Sequence, residues 1–181
     1  LYPKSPRRQE ILTKAGYSFR VRPANIDESF PDDMPIQDIP VFLAEKKALS
    51  LIEEYENEIL IAADTIVVLD EKVINKPADA KEAFEMLSLL SGKTHKVISG
   101  VCVAKGEDVI CFSDHSLVTF RELTEDEILY YIENYEPYDK AGAYGVQDFI
   151  GMIGIERIDG SFYNVMGLPI HKVYKALEML R

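Results

Sequence analysis

Apolar residues change their spacing repeatedly along the chain, and each change marks an element. In KSPRRQEILTKAG, residues 4–16, Ile11, Leu12 and Ala15 share one helical face. Ser5 suits the N-cap, Pro6 suits the first helical position and Gly16 supplies a stop. YSFRVRPA, residues 17–24, alternates as a strand does. NIDESFPDDMPIQDIP holds three prolines and many acids and reads as a loop. VFLAEKKALSLIEEY returns to helical spacing through Phe42, Leu43, Leu49 and Ile52. EILIAADTIVVLD, residues 58–70, is apolar almost throughout, the composition of a central strand, and LDEKVI turns it back as a short hairpin.

In the second half, DAKEAFEMLSLLSG predicts a helix with Ala83, Met86, Leu87 and Leu90 as its stripe, Asp79 and Glu82 as a capping box and Gly92 as its stop. HKVISGVCVA, DVICFS and HSLVTF read as three strands of an antiparallel meander. TEDEILYYIENY is a second boxed helix, Thr124 with Glu127. EPYDKAGAYGVQDFIG is a glycine-containing loop, and MIGIERIDGSFYNV reads as a hairpin turning at Asp159-Gly160. LPIHKVYKALEMLR closes with a helix that has Pro169 in its first turn. Helices and strands thus alternate irregularly with hairpins between them, which predicts an α/β protein with a mixed sheet.

The 181 residues suit one domain, 1–181, and 47% of them are hydrophobic. No apolar run approaches the ~20 residues of a membrane helix, so no membrane partner is expected. The net charge of −11 argues against a nucleic-acid partner. The charge is uneven: residues 1–22 carry six cations against Glu10 alone, whereas residues 23–60 carry ten acids against Lys46 and Lys47. Arg7 and Arg8 therefore stand in a helix's first turn, where the dipole disfavours cations by up to about 1 kcal/mol each. A bound anion would relieve that placement. Cys102 and Cys111 lie in apolar runs; two reduced thiols in a cytoplasmic protein are favoured over a bridge between neighbouring strands. His95, His115 and His171 have no metal-ligand spacing.

Asp64 stands out chemically. An acid inside the run from Ile59 to Leu69 is costly unless it is paired, hydrogen-bonded or bound to a metal. Capping of a strand end is the alternative. Glu28, Lys47, Lys76 and Gln147 are weak signals one at a time, and each taken alone reads better as an ordinary loop or helix residue. SGKT, residues 91–94, is not a P-loop: Leu87 stands where the first glycine belongs, and the segment ends a helix rather than starting one.

Together SPRRQEIL, DES, LAEKKA, AADTIVV, the run from Lys76-Pro77 through EAFEMLSLLSGKTHKVISGV, AGAYGVQ and GSFYNVMGLPI follow the order and spacing of the Maf family. The chain resembles this Maf/HAM-like group of nucleoside triphosphate pyrophosphatases over nearly its whole length. The resemblance implies an ITPase-like α/β fold: a long twisted mixed sheet flanked by helices, in two lobes with a central cleft. It implies metal-dependent hydrolysis of a nucleoside triphosphate to monophosphate and diphosphate, with Mg²⁺ (or Mn²⁺) as cofactor, in a cytoplasmic homodimer. Carried over by residue, Asp64 is catalytic and, with Glu28, holds the metal. Arg7, Arg8, Lys47 (with Lys46 its alternative neighbour), Lys76, Thr65 and Gln147 bind substrate. Thr65 and Gln147 resemble the branch acting on dTTP and UTP. The alternatives are a methylated purine triphosphate such as 7-methyl-GTP, or a non-catalytic nucleotide-binding regulator of septum formation. Two departures stand out. Tyr2-Pro3 replaces the family's usual Ala-Ser, which implies a trimmed start or loss of the serine's contact. Asp148 follows Gln147 where glycine is frequent, which places a negative charge beside the base-recognition amide.

Overall fold

A computed structural model describes residues 5–55 and 57–180; Tyr2 and Pro3 lie outside the described residues. Five strands form one sheet in the order β2-β1-β3-β4-β5: β1 Leu60–Leu69, β2 Lys72–Ile74, β3 Thr94–Lys105, β4 Asp108–Phe120 and β5 Ile155–Asp159. The helices are α1 Pro6–Lys14, α2 Ile39–Ile52, α3 Ala80–Leu90, α4 Glu125–Tyr135, α5 Phe149–Gly154, α6 Phe162–Met166 and α7 Ile170–Met179. The α/β class expected from the sequence is the one observed. The five described strands run antiparallel, where the resemblance implied a mixed sheet. Tight hairpins account for part of this. Asp70 and Glu71 both take positive φ, 48° and 59°, which lets β2 fold straight back on β1.

Four other expectations are corrected. Residues 17–21 alternate in exposure, but 17–24 form no strand, since they have no ladder partner among the described residues. DVICFS and HSLVTF are one strand, β4, running through Asp114. The segment after Asp159-Gly160 is not a returning strand. It is α6, started by the Ser161 hydroxyl accepting the Asn164 backbone N–H at 3.3 Å. Cys102 and Cys111 are joined as a disulfide, because the β3–β4 hairpin sets them opposite each other with Cα atoms 4.1 Å apart.

The chain divides into two compact units. The first takes the described residues up to Thr65, Ser99–Asp114 and those from Gly167 onward. Its α2 lies on the sheet through small side chains: Ala44 and Ala48 pack with Leu60, Ala62, Cys102 and Ala104. The approach is so close that a Cβ on Gly100 would overlap the backbone of Pro40 and Val41.

The second unit takes Ile66–Ile98 and His115–Met166. Ala83, Leu87 and Leu90 of α3 and Ile128, Tyr131 and Ile132 of α4 pack over Val67, Leu69, Val97, Val118 and Phe120. Both N-termini are capped from the sequence. Thr124 and Glu127 complete a reciprocal box, whereas Asp79 accepts from the Glu82 amide while the Glu82 carboxylate accepts from Ala78. Gly92, with φ +68°, ends α3 as a left-handed cap, so SGKT is a helix stop.

His95 is buried here against Phe120 and shares a 2.7 Å hydrogen bond with the Tyr144 hydroxyl. Burial pushes its pKa down to about 4 and pushes that of Tyr144 up. The unfolded chain therefore binds the imidazole proton more readily than the folded one. Stability from this site is full above pH ~6.5 and is lost as pH falls toward 4, by about 3 kcal/mol. Urea unfolding followed from pH 7 to 4 should show that slope, and His95→Phe should flatten it.

Candidate active site

All ten residues of β1 are buried except Asp64 and Thr65, which are half-buried, so the strand opens at these two positions. Successive side chains of a strand point to opposite faces. Asp64 follows Leu60 and Ala62 onto the face covered by α2, and Thr65 takes the other face.

On the α2 face, Lys47 Nζ lies 2.8 Å from Asp64 Oδ1 and 2.9 Å from Glu28 Oε1. The lysine is 3% exposed, an ammonium nearly withdrawn from water between two carboxylates. Burial works against its charge, but Asp64 and then Glu28 outweigh burial and hold its pKa above the ordinary lysine value. Lys47, not Lys46, is therefore the α2 cation that reaches Asp64. Lys46 instead donates to the Ser29 carbonyl at 3.3 Å. The loop carrying Glu28 is shaped by Asp27, whose carboxylate accepts from both the amide and the hydroxyl of Ser29. Those two bonds keep the Asp27 carboxyl below its usual pKa.

On the Thr65 face, Arg8 reaches inward from α1. Its Nε donates to the Gly167 carbonyl at 2.7 Å, Nη1 to the Ala63 carbonyl at 2.9 Å and Nη2 to Thr65 Oγ1 at 2.9 Å. Thr65 Oγ1 is also 2.8 Å from Ser99 Oγ. Arg8 is thus buried and tied to the two residues that flank Asp64. Arg7, its neighbour, is half-buried in a first turn that holds no acid, and the Ser5 side chain makes no cap bond there.

The structure thus brings Lys47, Asp64 and Glu28 into one cluster and Arg8 and Thr65 into another, back to back on β1. Lys76 and Gln147 belong to the second unit. Lys76 is exposed on an open groove of about 500 Å³ that Glu82, Met86 and Leu89 also line. Gln147 is half-buried, and its buried amide oxygen has no hydrogen-bond partner among the described residues. Sequence reasoning passed over Ser99 and Gly167. Ser99 is a fully buried hydroxyl among the apolar residues of β3; Gly167 acts through its carbonyl. The polar interruption in HKVISGVCVA was the available signal for Ser99.

Could two carboxylates and a lysine hold the divalent metal implied by the resemblance? Asp64 and Glu28 offer hard oxygen donors, and the Lys47 ammonium already occupies a cation position between them. Among the described residues no three His, Cys, Asp or Glu side chains cluster as a full ligand set. Two carboxylates fit an ion such as Mg²⁺, which completes its shell from water and substrate phosphates.

In this α/β protein β1 thus opens at an acid, with a lysine-bridged carboxylate pair on one face and a buried arginine on the other. The chain belongs to the Maf family: the model described as Maf-like protein matches residues 2–180. A protein of Bacteroides fragilis (strain YCH46) named dTTP/UTP pyrophosphatase is 47% identical over 182 residues, covering 99% of this chain and 94% of that one. Proteins of the same name from Cytophaga hutchinsonii and Porphyromonas gingivalis (strain W83) are 46% and 44% identical, and this chain covers 81% and 90% of their lengths.

Proposed function

We propose that this chain hydrolyses dTTP and UTP to the nucleoside monophosphate and diphosphate with a divalent metal. The observation that carries the proposal is Asp64, which shares the buried Lys47 with Glu28 in the opening of β1. The relatives' names support the choice of substrate.

In this reading Asp64 accepts a proton from a water aligned with the α-phosphorus. The new P–O bond forms as the bond from the α-phosphorus to the bridging oxygen breaks, and diphosphate leaves. Lys47 balances charge on the transferring group. Asp64 and Glu28 would hold the metal, which supplies charge neutralisation at the phosphate oxygens and lowers the pKa of water. Arg7, aided by the first-turn N–H groups of α1, contacts the phosphates. Lys76 adds a point charge, and Gln147 meets the base edge. Arg8, which donates to Gly167, Ala63 and Thr65, holds β1 in place, and Thr65 extends that tie. A cytoplasmic homodimer belongs to the same reading.

The test is a panel of nucleoside triphosphates incubated with Mg²⁺, Mn²⁺ or a chelator, with release of diphosphate and monophosphate measured. UTP and dTTP should turn over fastest, and chelation should stop turnover. Release of single phosphate groups, or turnover that survives chelation, would overturn the proposal.

A further inference from the structure

The segment that presents Gln147 is fastened by groups the chemistry above does not use. Tyr131 of α4 is fully buried, and its hydroxyl is engaged in both directions. It donates to Asp148 Oδ2 at 2.8 Å and accepts the Gly145 N–H at 3.1 Å. Asp148 sits at the N-cap of α5 yet makes no side-chain cap bond, although an aspartate there ordinarily would. Its carboxylate turns back over residue 145 instead, and a Cβ on Gly145 would overlap it. Lys140 Nζ stands 3.8 Å from the same oxygen. On the far side, a Cβ on Gly151 would strike the carbonyls of Gly145 and Val146. Gln147 lies within this segment with a buried amide oxygen that has no hydrogen-bond partner among the described residues. An unpaired buried acceptor is costly, so the segment must hold it there until something donates to it.

We propose that Tyr131 and Asp148 are positioning residues that fix the Gln147 amide for recognition of the base. Asp148 then does not act on the base through its charge, because that carboxylate is engaged by Tyr131 and Lys140. The inference rests on the reading that Gln147 meets the base. A pyrimidine with an N–H in its ring edge, as in uracil and thymine, supplies the donor that the amide oxygen lacks; cytosine presents an acceptor at that ring position.

Steady-state kinetics on UTP and CTP test this, with Tyr131→Phe, Asp148→Ala, Asp148→Asn, the Tyr131→Phe/Asp148→Ala double variant and Gln147→Ala. Tyr131→Phe keeps the ring in the core. It should raise KM for UTP about tenfold and leave kcat within about twofold. The preference for UTP over CTP in kcat/KM should fall by a similar factor. The double variant should be no worse than the worse single one, since one hydrogen bond is lost in each case. Asp148→Asn keeps an acceptor for Tyr131 and should recover most of the preference. A Tyr131→Phe enzyme slowed equally on both substrates, or one with its preference intact while Gln147→Ala loses it, overturns the inference alone. An unchanged preference in Gln147→Ala overturns both the base-contact reading and this inference.

Discussion

Asp64→Asn should lower diphosphate release by about 10³–10⁴-fold, the range for loss of a positioned general base together with weakened metal binding. The substitution conserves shape, and the asparagine oxygen can still accept from Lys47. Glu28 continues to neutralise the buried ammonium. The fold should therefore survive with a loss of about 1 kcal/mol. Nucleotide binding, measured by calorimetry, should stay within a few-fold of the native value. An Asp64→Asn enzyme that releases diphosphate at the native rate would end the catalytic assignment.

Arg8→Ala should act on a different property. The guanidinium satisfies the carbonyls of Ala63 and Gly167 and the hydroxyl of Thr65 at a buried position. Truncation removes three buried hydrogen bonds, although Thr65 keeps Ser99, at about 3–5 kcal/mol in total. Arg8→Lys should rescue little, because one ammonium cannot reproduce a planar fork with three directed contacts. Urea unfolding reads the effect as a lowered midpoint for both variants. Native midpoints would mean that the guanidinium is not structural and would return Arg8 to the phosphate-contact role.

Much of this protein is written locally, and what is not written locally is where reading fails. The box at Thr124 and Glu127 and the stripe Ala83, Leu87 and Leu90 are patterns a helix needs wherever it packs, and both appear as read. The alternation in YSFRVRPA is just as clear, but a strand requires a neighbour, and spacing alone does not reveal one. GSFYNV reads as a strand by its aromatics. The helix start there comes from the Ser161 hydroxyl, and Asn164 is then anchored to Val97 and Ser116 far along the chain. The site divides in the same way. Asp64 was visible as an acid in an apolar run. That Lys47 reaches it from a helix, and that Arg8 turns inward to Ala63, Thr65 and Gly167, follow from tertiary placement. The cysteines were misjudged because compartment arguments weigh frequency, whereas hairpin register decides adjacency.

Arg8 grips the backbone and side chain one residue before and one residue after Asp64. With the Ala63 carbonyl and the Thr65 hydroxyl tied to one guanidinium, Asp64 has little room to wander, so in the proposed reading its alignment is established when the polypeptide folds and not afresh with each turnover. Heating should then extinguish catalysis and native structure along a single curve, with no interval in which an intact but slack molecule persists. Enzymes whose reactive groups ride on loose loops separate those two losses.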